Sequence, residues 1–312
     1  MERMRWIDRR GRWPVVVALF AALLLVACGP GRTENRSSAA GEDAALRVVV
    51  SLPVFISMVE AVGGERVDVT ALVPPGADPH TYQPTPADAK AVADADLIFV
   101  NGAGLEEWLR GLIESAGGQQ VPVYELAQGL TTIEEEDHGH EHPEGNPHLW
   151  LDPTYAIAYV RQIEQRLSEH DPGGADHYRT NADGYVAEIE AFDTWAQEQI
   201  ATIPPEQRTL VTYHDAFPYF AAHYGLELVG VVVPSPGREP SPRDLARLVD
   251  EIRAQEVPVL FVEPQFNPRL AERLAQEAGI TTQVLYSETP PEGGGYLELM
   301  RTNIEHVVEG LR

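Results

Sequence analysis

Cysteine is almost missing from this 312-residue chain: Cys28 is its only one. No disulfide can form within the chain, and any metal site in it must be built from nitrogen and oxygen ligands. Basic residues are scarce as well, with 23 Lys and Arg against 48 Asp and Glu and a formal net charge of −25. Such a surface repels nucleic acid, and no nucleic-acid partner is expected; a cation is a natural partner, although an acidic surface by itself more often signals solubility than binding. The motifs of the common hydrolases and nucleotide enzymes are also absent. There is no His-Glu-x-x-His pair, no G-x-S-x-G elbow and no phosphate-binding glycine loop.

Only one long apolar run is present, Pro14 to Ala27, behind an n-region carrying Arg3, Arg5, Arg9, Arg10 and Arg12. The run is too short to span a bilayer comfortably and reads as an export signal covering residues 1–27. It ends in Leu25-Val26-Ala27-Cys28, which resembles the bacterial lipobox, so Cys28 is expected to be lipidated and to become the first residue of the mature protein. The expected location is the periplasmic or extracytoplasmic face of the membrane, held there by the lipid. Residues 28–45, small and polar without periodicity, read as a flexible tether.

From residue 46 the chain repeats strand then helix. Short β-branched runs bounded by Gly and Pro fall at 47–52, 67–73, 95–102 and 121–126, and again at 209–214, 226–233, 257–264 and 281–288. Four strands per half, with helical patterns in most gaps, predict an α/β fold: two (β/α) lobes, each with a mainly parallel four-stranded sheet. Tyr178, Ala182, Tyr185, Ile189, Phe192 and Ala196 recur at helical spacing without an interrupting proline. They predict one long linking α-helix between the lobes. The expected division is an N-terminal lobe over 46–172, the linking helix over 173–203 and a C-terminal lobe over 204–312.

Ligands of open α/β sheets collect beyond the carboxyl ends of the strands. Four metal-capable side chains fall there: His80 after the second strand, His148 ahead of a helix starting near Pro153, His214 closing the fifth strand and Glu288 closing the eighth. Two come from each lobe, which points to a site in the interlobe cleft. Taken singly, each histidine is more often structural than metal-binding. Glu263, at the end of the seventh strand, competes with Glu288 as fourth ligand. It is ranked below it and expected to orient a ligand histidine instead. His138, His140 and His142 alternate with Glu, Asp and Gly in "DHGHEH", where nothing fixes their geometry; they read as a weak metal-collecting loop or as a solvated acidic one.

The segments "PPGADPHTYQPTPAD", "NPHLWLDP", "TYHDAFPYFAAHYGL", "EPSPRDL", "LFVEPQF" and "YSETPPEGGGYLELMRTN" follow one another along the chain. In this order they resemble the signature segments of the cluster A-I solute-binding proteins, the zinc and manganese receptors of ABC importers. The resemblance implies two (β/α) lobes joined by one helix, a metal at their interface and an ABC permease in the membrane as partner. It also implies that His80, His148 and His214 are the three histidine ligands of a zinc-type member, with Glu288 where many relatives carry aspartate. Manganese-type members usually carry glutamate in place of His214. The expectation is therefore a monomeric receptor whose transported ligand is zinc, with manganese the alternative and no catalysis. An adhesin-like surface lipoprotein of the same fold, or a zinc-dependent hydrolase, are the rival readings.

Overall fold

The computed structural model describes residues 45–116, 121–133, 145–233, 237 and 240–312. Cys28, His138, His140 and His142 lie outside the described residues.

Among the described residues, eight strands form two four-stranded sheets. The first contains β1 (Leu46–Val50), β2 (Val67–Ala71), β3 (Leu97–Val100) and β4 (Val123–Glu125) in the order β2-β1-β3-β4. The second contains β5 (Thr209–His214), β6 (Glu227–Val233), β7 (Val259–Val262) and β8 (Thr281–Val284) in the order β6-β5-β7-β8. Every pairing is parallel, so the sheets are more uniform than the mainly parallel arrangement expected. The inner strands are apolar without alternation, as "LIFV" of β3 shows, because a parallel sheet is covered on both faces.

Helices fill the crossovers: α1 (Pro53–Gly63), α2 (Pro86–Asp94), α3 (Leu109–Ser115) and α4 (Pro153–His170) accompany the first sheet. The second is accompanied by α6 (Pro218–Tyr224), α7 (Pro242–Ala254), α8 (Pro268–Ala278) and α9 (Tyr296–Gly310). Six of these eight begin at proline, whose fixed φ suits the first helical turn and whose missing N–H costs nothing there. Thr85 and Asp88 close a reciprocal capping box on α2, and the side chains of Asp152, Ser241 and Asn267 cap α4, α7 and α8.

Between the two sets runs α5 (Ala175–Ile200), 26 residues long. Its buried stripe is Tyr178, Ala182, Val186, Ile189, Phe192, Ala196 and Ile200. Tyr185, expected in that stripe, sits half-buried at its flank, with Val186 taking the central place. The helix packs on α1, α4 and α9. One apolar cluster therefore runs from Val48 and Phe99 of the first sheet through α5 to Phe261 and Met300 of the second half. Smaller clusters cover the outer faces, around Ile98 and Leu112 on one side and Leu260 and Leu274 on the other.

The eighth strand ends earlier than the sequence pattern implies. Tyr286 leaves the ladder because Asn303 of α9 takes over its backbone, accepting from the N–H at 2.8 Å and donating to the carbonyl at 2.7 Å. Glu288 consequently stands in a coil beyond the strand instead of closing it.

Candidate metal centre

In each sheet the connection reverses direction between two inner strands, β1 and β3 in the first and β5 and β7 in the second. The crevice beyond the carboxyl ends at such a point is where α/β sheets bind ligands. His214 is the last residue of β5, and Glu263 follows β7 by one residue. His80 lies in the loop between β2 and α2, and His148 precedes a single 3-10 turn, Leu149–Leu151, that leads into α4.

These loops converge. His80, His148, His214 and Glu288 each offer one ligand atom, and the four atoms lie within 4.8 Å of one another. His148 Nε2 is 3.3 Å from His80 Nε2 and 3.3 Å from His214 Nε2. Glu288 Oε1 lies 3.8 Å from His148 Nε2 and 3.7 Å from His214 Nε2. Tetrahedral zinc with Zn–N bonds of about 2.0–2.1 Å places its donors about 3.3–3.4 Å apart, so the histidine edges already match. His148, His214 and Glu288 are buried, whereas His80 is half-buried and forms the side of the site nearest solvent.

The surrounding residues fix which atom of each ligand faces inward. Asn146 donates its amide N–H to the Asp215 carbonyl at 2.7 Å, which leaves its Oδ1 to accept His148 Nδ1–H at 3.0 Å. His148 Nε2 then points its lone pair into the site. Glu263 Oε2 accepts from His214 Nδ1 at 2.7 Å and so turns Nε2 inward. Glu263 stands behind His214, outside the group of four, and its Oε1 is occupied by the Ser287 hydroxyl at 2.6 Å. Glu288 Oε2 accepts from Gln265 and lies within hydrogen-bond distance of the Ser287 hydroxyl, whose single proton it shares with Glu263 Oε1. Its Oε1 is buried and has no hydrogen-bond partner among the described residues, an orphan acceptor aimed at the three imidazoles.

Burial is the largest influence on His214 and disfavours its charge, but the charge and hydrogen bond of Glu263 outweigh it and lift the imidazole to about 9. Burial raises the Glu288 carboxyl, partly opposed by the positive charge of His214. His214 is thus held against Glu263 by a charge-assisted hydrogen bond, and a cation bound at its Nε2 would displace the proton there.

The His80 loop is shaped by Asp78, whose carboxylate accepts from the His80 backbone N–H at 2.9 Å and from the Thr81 hydroxyl at 2.8 Å. Trp108 Nε1–H anchors the same loop by donating to the Pro79 carbonyl at 2.9 Å. The halves of the chain are joined at the site by backbone contacts. Trp150 Nε1–H donates to the Ser287 carbonyl at 2.8 Å, and the Val54 N–H donates to the Glu288 carbonyl at 3.1 Å. Sequence reasoning missed Asn146, Gln265 and Ser287. Their only signal is immediate adjacency, in "NPH", "EPQF" and "YSE", to residues that sequence reasoning had already singled out.

Two parallel sheets facing one another across a helix, with three imidazoles and a carboxylate gathered between their strand ends, define a metal-binding receptor of the solute-binding class. The chain belongs to the family described as zinc-uptake complex component A, periplasmic, whose model matches residues 48–310. It is 35% identical over 295 residues to the manganese-binding lipoprotein MntA of Halalkalibacterium halodurans, covering 93% of this chain and 95% of that protein. It is 30% identical over 305 residues to the manganese ABC transporter substrate-binding lipoprotein PsaA of Streptococcus mitis, covering 95% and 97%. Among solved structures, a crystal structure of ZnuA superposes with a TM-score of 0.77 at 27% identity, over 86% of this chain and all of that one. The manganese-bound periplasmic metal-binding protein of Candidatus Liberibacter asiaticus gives 0.76 at 26% identity, over 86% of this chain and 100% of that one. The protein is thus the substrate-binding component of a metal ABC importer, a receptor and not an enzyme, and its partners are a divalent metal ion and a permease. No helix among the described residues is long and apolar enough to cross a membrane.

Proposed function

We propose that the protein is an exported, lipid-anchored receptor that captures zinc through His80, His148, His214 and Glu288 and hands it to the permease. The observation that carries the choice of metal is the state of Glu288. With Oε2 already accepting from Gln265 and packed beside the Ser287 hydroxyl, Oε1 is the oxygen left to bind an ion. Three nitrogens and one oxygen make a closed four-coordinate site, which suits zinc; manganese prefers more oxygen ligands and a higher coordination number.

A manganese receptor is the second reading, and it is favoured by the two manganese lipoproteins at 35% and 30% identity. Stripping the purified protein of metal and offering zinc and manganese together in equal excess separates the two. One tightly held zinc per chain supports the proposal, and preferential retention of manganese overturns it. Membrane attachment is tested separately, since Cys28→Ser should move the protein from the membrane fraction to the soluble extracytoplasmic fraction.

A further inference from the structure

Away from the ligands, one imidazole is held from both sides by carboxylates. His223 Nδ1 lies 3.1 Å from Asp152 Oδ1, and its Nε2 lies 2.7 Å from Asp193 Oδ1. All three side chains are mostly buried, at 13%, 13% and 20% exposure. They come from different parts of the fold: His223 from α6 behind the second sheet, Asp152 from the cap of α4 beside the first, and Asp193 from α5 between them.

Both nitrogens can donate only when the ring carries two protons. Burial opposes that charge, but the hydrogen bonds and charges of Asp152 and Asp193 overcome it and hold His223 at about 9. The other titratable neighbours are the phenols of Tyr224, whose ring meets His223 edge-on at 4.7 Å, and of Tyr296 on α9; burial pushes both upward, so they stay neutral.

The position of this bridge gives it a role. Asp152 follows His148 by one short turn, and α6 starts four residues after His214, so α4 and α6 are the helices that carry two of the ligand loops. At the start of α6, Tyr219 donates its hydroxyl to the Asn146 carbonyl at 2.6 Å, beside His148. At its end stands His223. A seven-residue helix pinned at both ends cannot pivot. We propose that the Asp152–His223–Asp193 bridge is a brace that holds the His148 and His214 loops at metal-binding separation before metal arrives, and thereby slows release of the captured ion. The second part rests on the reading of His148 and His214 as ligands; the first does not.

The test uses the full chain with His223→Gln, and with Asp193→Asn as a milder variant should the first fail to fold. In metal-free protein, amide hydrogen exchange in α4 and α6 should rise in the variants, while that of α2 and α3 on the outer face of the first sheet stays unchanged. In the wild type, nuclear magnetic resonance should find the His223 ring doubly protonated up to about pH 9. Zinc should dissociate into excess chelator about tenfold faster from the variants at unchanged stoichiometry, because a site that must be reassembled is held less well. Unchanged exchange in α6, or a His223 ring that loses its proton near 6.5, overturns the brace. Raised exchange with wild-type zinc dissociation overturns its role in retention. A wild-type protein that takes up no zinc counts against the proposed function, and the exchange and resonance measurements still judge the brace.

Discussion

On the proposed function, His214 meets metal as a protonated ring. Its value of about 9 in the metal-free site stands above the ordinary 6.5, so below the ordinary value its charge contributes fully to the metal-free fold, and that contribution fades as pH rises through 9. Metal binding has the opposite sign, since the ion needs the neutral ring. At about pH 7.5, zinc uptake should release about one proton or more per ion, measurable by calorimetry in buffers of different ionisation heat. Uptake without proton release would place His214 outside the coordination sphere. As pH falls from about 7 to 5 protons compete increasingly with the ion for nitrogen donors, and zinc affinity should drop steeply. Substitution addresses selectivity directly. His214→Glu makes a two-imidazole, two-carboxylate site, and the preference for zinc over manganese should shrink at least about tenfold, or roughly 1.4 kcal/mol, in competition titrations. Glu263→Gln, which keeps an acceptor for His214 Nδ1, should alter that ratio far less, while Glu288→Ala should weaken both ions. At this scale the sequence displays the imidazoles, because histidine at a strand end is visible. It conceals the orienting groups: Asn146 and Gln265 are ordinary polar residues until the fold brings their amides to a ligand.

Among the elements, α5 was the most legible, since 26 residues without proline and with apolar spacing of three and four have no other structure to adopt. The spacing misses only the exchange of Tyr185 for Val186, which takes the buried place in the stripe. The end of β8 was not legible, because the strand is stopped by Asn303 from a helix further along the chain. Gly184, exposed in the middle of α5 with open space where a Cβ would stand, carries the helix at a needless entropic cost. Gly184→Ala should raise stability to denaturant by about 0.5–1 kcal/mol and leave zinc affinity unchanged. The helix packs on α1, α4 and α9, so the two halves share one apolar core and cannot swing apart as hinged lobes do. X-ray scattering profiles of metal-free and zinc-loaded protein should superimpose at low angle, with any change confined to the loops of His80, His148 and Glu288. A wide closure would contradict the shared core.

For the whole molecule, the strand–helix rhythm gave the two sheets, whereas the strand order and the cross-chain contacts at the site could not be read from a linear pattern. The acidic, histidine-bearing segment "DHGHEH" ends six residues before His148 and lacks an aromatic and proline frame of the kind that surrounds that residue. Replacing His138, His140 and His142 with Ser should leave one tight zinc per chain and remove only weaker equivalents, because an ordered ligand set loses less entropy on binding. Loss of tight binding in that variant would merge the two.

The four residues gathered within 4.8 Å are spread from residue 80 to residue 288, one to a loop. No short stretch of the chain holds more than one of them, and the last lies beyond β8, where Asn303 draws the chain out of the sheet. An unfinished polypeptide therefore offers a metal only single donors and the "DHGHEH" segment, never the four-donor set. On the proposed function, tight uptake awaits the folded molecule, and an occupied site certifies a finished one.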